Sequence, residues 1–167
     1  EMLNVPLIVS NPVLFPNGVE TDALASLIDL MPTLAAAAQV PNPGDWTFRG
    51  VNLMPVILDA SQNPTQPTVK VQDSVLFTFD DENVGMPCDP AEPCEPPQQI
   101  VKQPNHIRSV RTSHYKYAVY FDPQGTAEPQ YELYDLQTDP TELHNMARPD
   151  NTAYYNPQKV NEMHLLL

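Results

Sequence analysis

Twenty prolines against five glycines constrain this chain more than any other feature. Each proline fixes φ and removes an amide donor, so the interior of a helix or a central strand tolerates it poorly. The prolines gather between apolar runs, in "NPVLFPNG", "PNPGD", "NPTQPT" and "PCDPAEPCEPP". That spacing predicts well-formed elements joined by stiff connections. The 41% hydrophobic content suits a globular protein, and 167 residues make one domain or two small ones.

Between the proline clusters the hydrophobic pattern changes character. "VPLIVS", Val5 to Ser10, is continuously apolar and reads as a strand covered on both faces. In "TDALASLIDLMPTLAAAAQV" Leu24, Leu27, Ile28, Met31 and Leu34 recur at helical spacing, with Thr21 as the cap, Asp22 in the first turn, and a kink or restart near Met31 forced by Pro32. "RGVNLMPVIL" is a short apolar piece after Gly50, and "DASQNPTQPT" reads as a linker. Beyond it the period becomes that of strands: "SVLFTFDD", then "IRSVRT" and "YKYAVYFD" flanking a tight turn at Ser113-His114, then "YELYDL". "DPTELHNMA" carries a capping-box pattern, Asp139 with Glu142 and Pro140 at the first helical position, and predicts a further helix. "NPQKVNEMHLLL" predicts a C-terminal amphipathic helix with Val160, Met163 and Leu167 along one side. Strands gathered in sequence and followed by a helix indicate an α+β layer.

The formal net charge of −13 argues against nucleic acid or an anionic membrane as partner, since both select a basic face. No apolar run approaches the ~18 residues of a membrane-spanning helix. Of eight Lys and Arg residues, Arg108, Arg111 and Lys116 fall within nine positions, a cationic stretch on an acidic body. The plain reading is a set of solvated strand charges. The chain begins "EMLNV" without an initiating Met and stops at "HLLL" in mid-pattern. Both ends read as cut, so the expectation is a segment of a larger protein.

Five stretches together carry a family resemblance: "VPLIVSNP", "LASLIDLMPTLAAAA", "RGVNLMP", "IRSVRTSHYKYAVYFD" and "ELYDLQTDPTELHNMA". Each alone is explicable as packing or capping. In this order and spacing they resemble the C-terminal part of the sulfatase family, of the alkaline-phosphatase superfamily, over most of the chain except Glu82 to Asn105. The resemblance implies α/β plus α+β architecture: the tail end of a large alkaline-phosphatase-like α/β domain, then a small four-stranded antiparallel sheet with a C-terminal helix. It places the end of the large domain at residues 1–60, a linker at 61–70 and the small subdomain at 71–167, with a Pro/Cys-rich loop at 82–105. It further implies hydrolysis of sulfate esters by a formylglycine nucleophile and a calcium ion, with Lys, His and Arg stabilising the developing charge. All those groups belong to the N-terminal remainder of such a protein, which is the implied partner of this segment, and none is expected here.

Two stretches imitate the missing chemistry. Cys88-Asp-Pro90 and Cys94-Glu-Pro96 resemble the formylglycine signature but lack its closing arginine, having Glu92 and Gln98 instead. Cys88 and Cys94 read either as a disulfide of an exported protein, secreted or periplasmic, or as two free thiols. Asp80-Asp81 at the end of an apolar strand resembles the family's first calcium ligands, but it follows the Pro-Thr-Leu helix instead of opening the fold. His106, His114, His144 and His164 show no ligand-like clustering, and His144 and His164 read as helix-surface or packing residues. The cationic stretch suggests a substrate rim formed by Arg108, His106 and Arg111. On strand alternation Arg108 and Arg111 occupy opposite faces, and a purely structural role for both arginines is the competing reading. A phosphonate or phosphodiester hydrolase of the same superfamily, and a non-catalytic binding or pseudoenzyme fragment, are the alternatives in function. Alone, such a segment is expected to expose the apolar faces of Val5 to Ser10 and of the Leu24 helix.

Overall fold

The computed structural model describes residues 5–16, 18–40, 47–80, 106–125 and 127–167. They form two compact units, Glu1–Val75 and Leu76–Leu167. In the first, a 3-10 turn over Leu27–Asp29 runs directly into helix α1, Leu30–Ala37. The helix therefore begins later than its apolar period suggests. Pro32 decides this, because only in the first turn do the amides lack intrahelical acceptors and a proline cost little. Thr21 accepts a bond from the Ala23 amide (3.3 Å) as a local turn, outside the helix. Helix α2, Met54–Gln62, forms where the sequence shows only a short apolar piece. Pro55 sits in its first turn, and Val56 and Ala60, four residues apart, are its buried side chains.

One side chain ties these pieces together. Asp29, only 1% exposed, accepts from the amides of Ser26 (2.7 Å) and Val51 (2.8 Å) and from the side-chain amide of Gln72 (2.8 Å). One turn later the Thr33 hydroxyl donates to the Asp29 carbonyl (2.6 Å) and accepts from the Leu53 amide (2.9 Å). Gly50 lies so close to the preceding turn that a Cβ there would stand 2.2 Å from the Ile28 carbonyl oxygen. "SLIDLMPTL" and "RGVNLMP" are thus two halves of one joint. Asp59, on α2, holds the following segment through the amides of Thr68 (2.7 Å) and Val69 (2.9 Å). Those bonds, that of Val69 foremost, keep its carboxyl below the usual carboxylate range.

The apolar stripe of the first unit is open. Leu27 is 83% exposed and Met31 and Leu34 are each 64% exposed, whereas α1 buries Pro32 and Thr33. Val5–Ser10 is exposed and forms no ladder, contrary to the strand expected there, because no described strand lies alongside to pair with it. Both exposures match what the sequence predicts for a segment standing alone.

The second unit is built on a four-stranded antiparallel sheet in the order β1 (Ser74–Asp80), β2 (His106–Thr112), β3 (Tyr115–Phe121), β4 (Gln130–Asp135). Strands β2 and β3 make the expected hairpin, pairing Arg108 with Val119, Val110 with Tyr117, and Arg111 with Lys116. The Thr112 hydroxyl accepts from the amides of His114 (3.2 Å) and Tyr115 (2.9 Å) and closes the turn. Val110, Tyr117, Val119 and Leu133 form the core on one face with Met163 of helix α3, Pro157–His164. Asn156 caps α3 by accepting from the Lys159 amide (3.0 Å). Val160 and Met163 face the core as expected, but the helix stops at His164 and Leu167 lies beyond it, exposed.

The helix expected over "DPTELHNMA" does not form. Glu142 adopts a left-handed φ of 59°, and the Asp139 carboxylate accepts from the amides of Leu143 (3.0 Å) and His144 (2.7 Å). The loop then seals the open edge of β4. The Asn145 side chain accepts from the Leu133 amide (3.1 Å) and donates to the Tyr131 carbonyl (2.9 Å), and the Met146 amide donates to the Leu133 carbonyl (2.8 Å). An unpaired sheet edge is an aggregation hazard, and Asn145 covers this one as a strand would.

Replacing Asp29 with Ala leaves three donors without their acceptor, a loss of about 3 kcal/mol or more at ~1–3 kcal/mol for each buried unsatisfied group. Gly50→Ala is expected to destabilise the same unit by collision with Ile28. Urea denaturation of the two variants measures both, and wild-type midpoints would remove the joint from this account.

Candidate functional site

The cationic hairpin concentrates the polar groups of the second unit, and its register sorts them onto two faces. On the core face His106 and Arg108 point the same way, since residues two apart share a side of the strand. Arg108 donates to both oxygens of Asp80 (2.6 and 3.2 Å) and to the carbonyl of Ile107 (2.8 Å), and its guanidinium lies 5.3 Å from the centre of the Phe121 ring. His106 approaches the same carboxylate at 3.7 Å, with its ring 5.5 Å from that of Phe121. The Arg108 hydrogen bond holds the Asp80 carboxyl below the usual carboxylate range. Arg108, 36% exposed, therefore pins the end of β1 to β2.

Arg111 lies on the opposite face, directly across from Lys116. Lys116 is ion-paired with Glu142 and stands 5.5 Å from the centre of the Tyr134 ring. On the same face the Tyr120 hydroxyl donates to Glu132 (3.1 Å). Burial, with Glu132 beside them, pushes the Tyr120 and Tyr134 phenols up to about 12, so both remain protonated donors at neutral pH. Of the three rim candidates, the structure brings His106 and Arg108 together and sets Arg111 apart. The Lys116–Glu142 pair escaped sequence reasoning, because Glu142 fits a capping box equally well. The left-handed turn that redirects it has no glycine to announce it.

The remaining candidates resolve individually. Cys88, Cys94 and Asp81 lie outside the described residues. Among the described residues no group of three or more His, Cys, Asp or Glu side chains converges as a metal cage. Asp80, the best-placed carboxylate, spends both oxygens on Arg108. The described part of this chain therefore does not fit calcium. His164 meets the Tyr117 hydroxyl through Nδ1 (3.1 Å) and His144 stacks on Tyr154 at 4.1 Å between ring centres, both packing roles. His114 sits at the hairpin turn, 3.3 Å from the side-chain amide of Gln137.

No family model matches the chain. It is 28% identical over 163 residues to arylsulfatase K of Xenopus laevis, which covers 96% of this chain and 24% of that relative. It is 27% identical over 150 residues to the Delta 4,5-hexuronate-2-O-sulfatase of Bacteroides thetaiotaomicron, covering 89% of this chain and 25% of the relative. A solved structure of a protein in complex with its substrate D-glucosamine-2-N,6-O-disulfate superposes with a TM-score of 0.51 at 21% identity, covering 83% of this chain and 22% of that one. This last likeness concerns the fold alone. The chain spans about a quarter of the length of the curated relatives it matches.

Asp80→Asn and Arg108→Ala are each expected to speed amide exchange across Ser74–Asp80, and the double variant to do no more than either. Because the folded state lowers the Asp80 pKa, the stabilisation is complete above about pH 4 and is lost as the pH falls through the depressed value. Additive effects in hydrogen exchange, or exchange in β1 that acid leaves untouched, would contradict the pin.

Proposed function

We propose, on the premise that this chain is a C-terminal segment of the sulfatase family, that the intact protein hydrolyses sulfate esters and that these residues support the site without supplying its reactive groups. The observation that carries the proposal is one of proportion. Sulfatases match nearly the whole of this chain, yet the chain accounts for only a quarter of them. In this reading the reactive groups are carried by other polypeptide. A formylglycine supplies the nucleophile and a calcium ion the charge stabilisation, both carried by the N-terminal remainder. Residues 1–60 complete the large domain, 61–70 link, and 71–167 form the small subdomain beside the cleft. The apolar stripe of Leu27, Met31 and Leu34 is then a face that the large domain covers.

One relative suggests a substrate class, since its name specifies a hexuronate 2-O-sulfate. We take the substrate here to be an anionic saccharide sulfate, bordered on one face of the hairpin by His106 and Arg108. The disulfide reading of Cys88 and Cys94 favours a secreted or periplasmic protein.

The intact protein is expected to turn over an aryl sulfate, and the isolated 167-residue chain to show no turnover above buffer. Activity in the isolated chain would overturn the supporting role. An intact protein preferring phosphodiesters to sulfate esters would overturn the reaction.

A further inference from the structure

A cleft of about 400 Å³ opens beside the outer edge of β4, between Gln130, Tyr131 and Glu132 on the strand and the loop that runs from Asn145 to Pro149. That volume lies in the range of small-ligand sites. Asn145 fixes its shape. The side chain that bonds β4 at Tyr131 and Leu133 belongs to the residue whose carbonyl accepts from the Asn151 side chain (3.3 Å). The turn that begins at Asn151 carries Tyr154, whose ring lies 4.1 Å from that of His144, centre to centre, and within 7° of parallel. His144 precedes Asn145 in the chain, so the stacked pair stands next to the cleft wall. His144 backs one face of the Tyr154 ring, and Tyr154, 45% exposed, leaves the other face to solvent. Tyr131, 41% exposed, lines the cleft itself.

The polar groups around these rings cover every hydrogen-bonding role. Glu132 receives the Tyr120 hydroxyl on Oε2 and keeps its second oxygen as an acceptor. Gln130, exposed, both donates and accepts, and Arg148 donates. Arg148 is already paired with Asp150, so with Glu132 the cleft carries no net positive charge. An anion finds no attraction there, on a chain of net charge −13. The complementary ligand is neutral, with apolar faces for the aromatic rings and hydroxyls around its rim. A pyranose with equatorial hydroxyls has that form, since its C–H groups point to the two faces and its hydroxyls lie at the edge.

We propose that this surface binds a neutral, β-linked pyranose oligosaccharide, with one sugar ring stacked on Tyr131 in the cleft and the chain continuing toward Tyr154. The inference goes beyond the hydrolytic reading and does not depend on it. In a protein that also cleaves sulfate esters, the site holds an unsulfated stretch of the glycan.

Isothermal titration of the intact protein with cellotetraose, whose hydroxyls are all equatorial, is the test. Saturable binding is expected, weakened about tenfold or more in Tyr131→Ala and in Tyr154→Ala at unchanged melting temperature. Should either Ala variant fail to fold, Gln130→Ala, at an exposed position, carries the test with a severalfold loss. Cellotetraose sulfate is expected to bind more weakly than the neutral sugar. No binding of cellotetraose, or wild-type affinity in the variants that fold, overturns the proposal. Equal or tighter binding of the sulfated form overturns the neutral class. Saturating cellotetraose should leave para-nitrophenyl sulfate hydrolysis unchanged, and competitive inhibition would place the sugar in the hydrolytic cleft and overturn a separate site. Tyrosine-dependent binding by a protein that cleaves no sulfate ester leaves this site standing and removes the reaction assignment alone.

Discussion

A carboxylate removed from water is tolerated only when donors replace the water it loses, and at Asp29 three of them do so from three separate stretches of chain. The Ser26 amide fixes the turn before α1, Val51 fixes the segment that leads into α2, and Gln72 returns the chain toward its start. The close approach of Gly50 to Ile28 follows from the same convergence, since the backbone has to come near enough for Val51 to reach the carboxylate. This joint uses polar groups where a small unit would ordinarily use a core. The apolar side chains of the helix are thereby left facing outward.

The second unit solves a different problem. Its core is one face of a sheet covered by α3, and its weak point is the edge at β4. The turn from Asp139 to Asn145 covers that edge and also carries Glu142 to Lys116. One loop therefore links edge protection to the electrostatics of the second face. The two cations of β2 divide accordingly, Arg108 committed to Asp80 and Arg111 facing a like charge. A strand that places Arg at positions three apart must send them to opposite faces, and of the two only Arg108 holds a carboxylate among the described residues.

The legible parts of the sequence were those whose period or turn chemistry is local. The β2–β3 hairpin and β4 follow from alternation and the turn at Ser113-His114, and α3 follows from the helical spacing of Val160 and Met163. The alternation also placed Arg108 and Arg111 on opposite faces. Three features depended on contacts distant in sequence and were not legible. Asp29 reads as one more helix residue until Val51 and Gln72 arrive. Helix α2 is short and proline-bearing, and only the burial of Val56 and Ala60 distinguishes it from a loop. Glu142 matches a capping box, but the two amides that reach Asp139 come from Leu143 and His144, which a helix would have turned away. The family resemblance supplied what local pattern does not, the order of the pieces, while the joint at Asp29 supplies the physical reason for two of them.

On the proposed reading the chain contributes support and leaves an apolar face for other polypeptide to cover. Met31 reports on that face directly, because its thioether oxidises at a rate set by exposure, and Met163 in the sheet core serves as the internal control. Peroxide footprinting of the isolated chain and of the intact protein is the decisive measurement. Met31 should oxidise rapidly in the first and be strongly protected in the second, with Met163 slow in both. Equal rates for Met31 in the two samples would contradict the account.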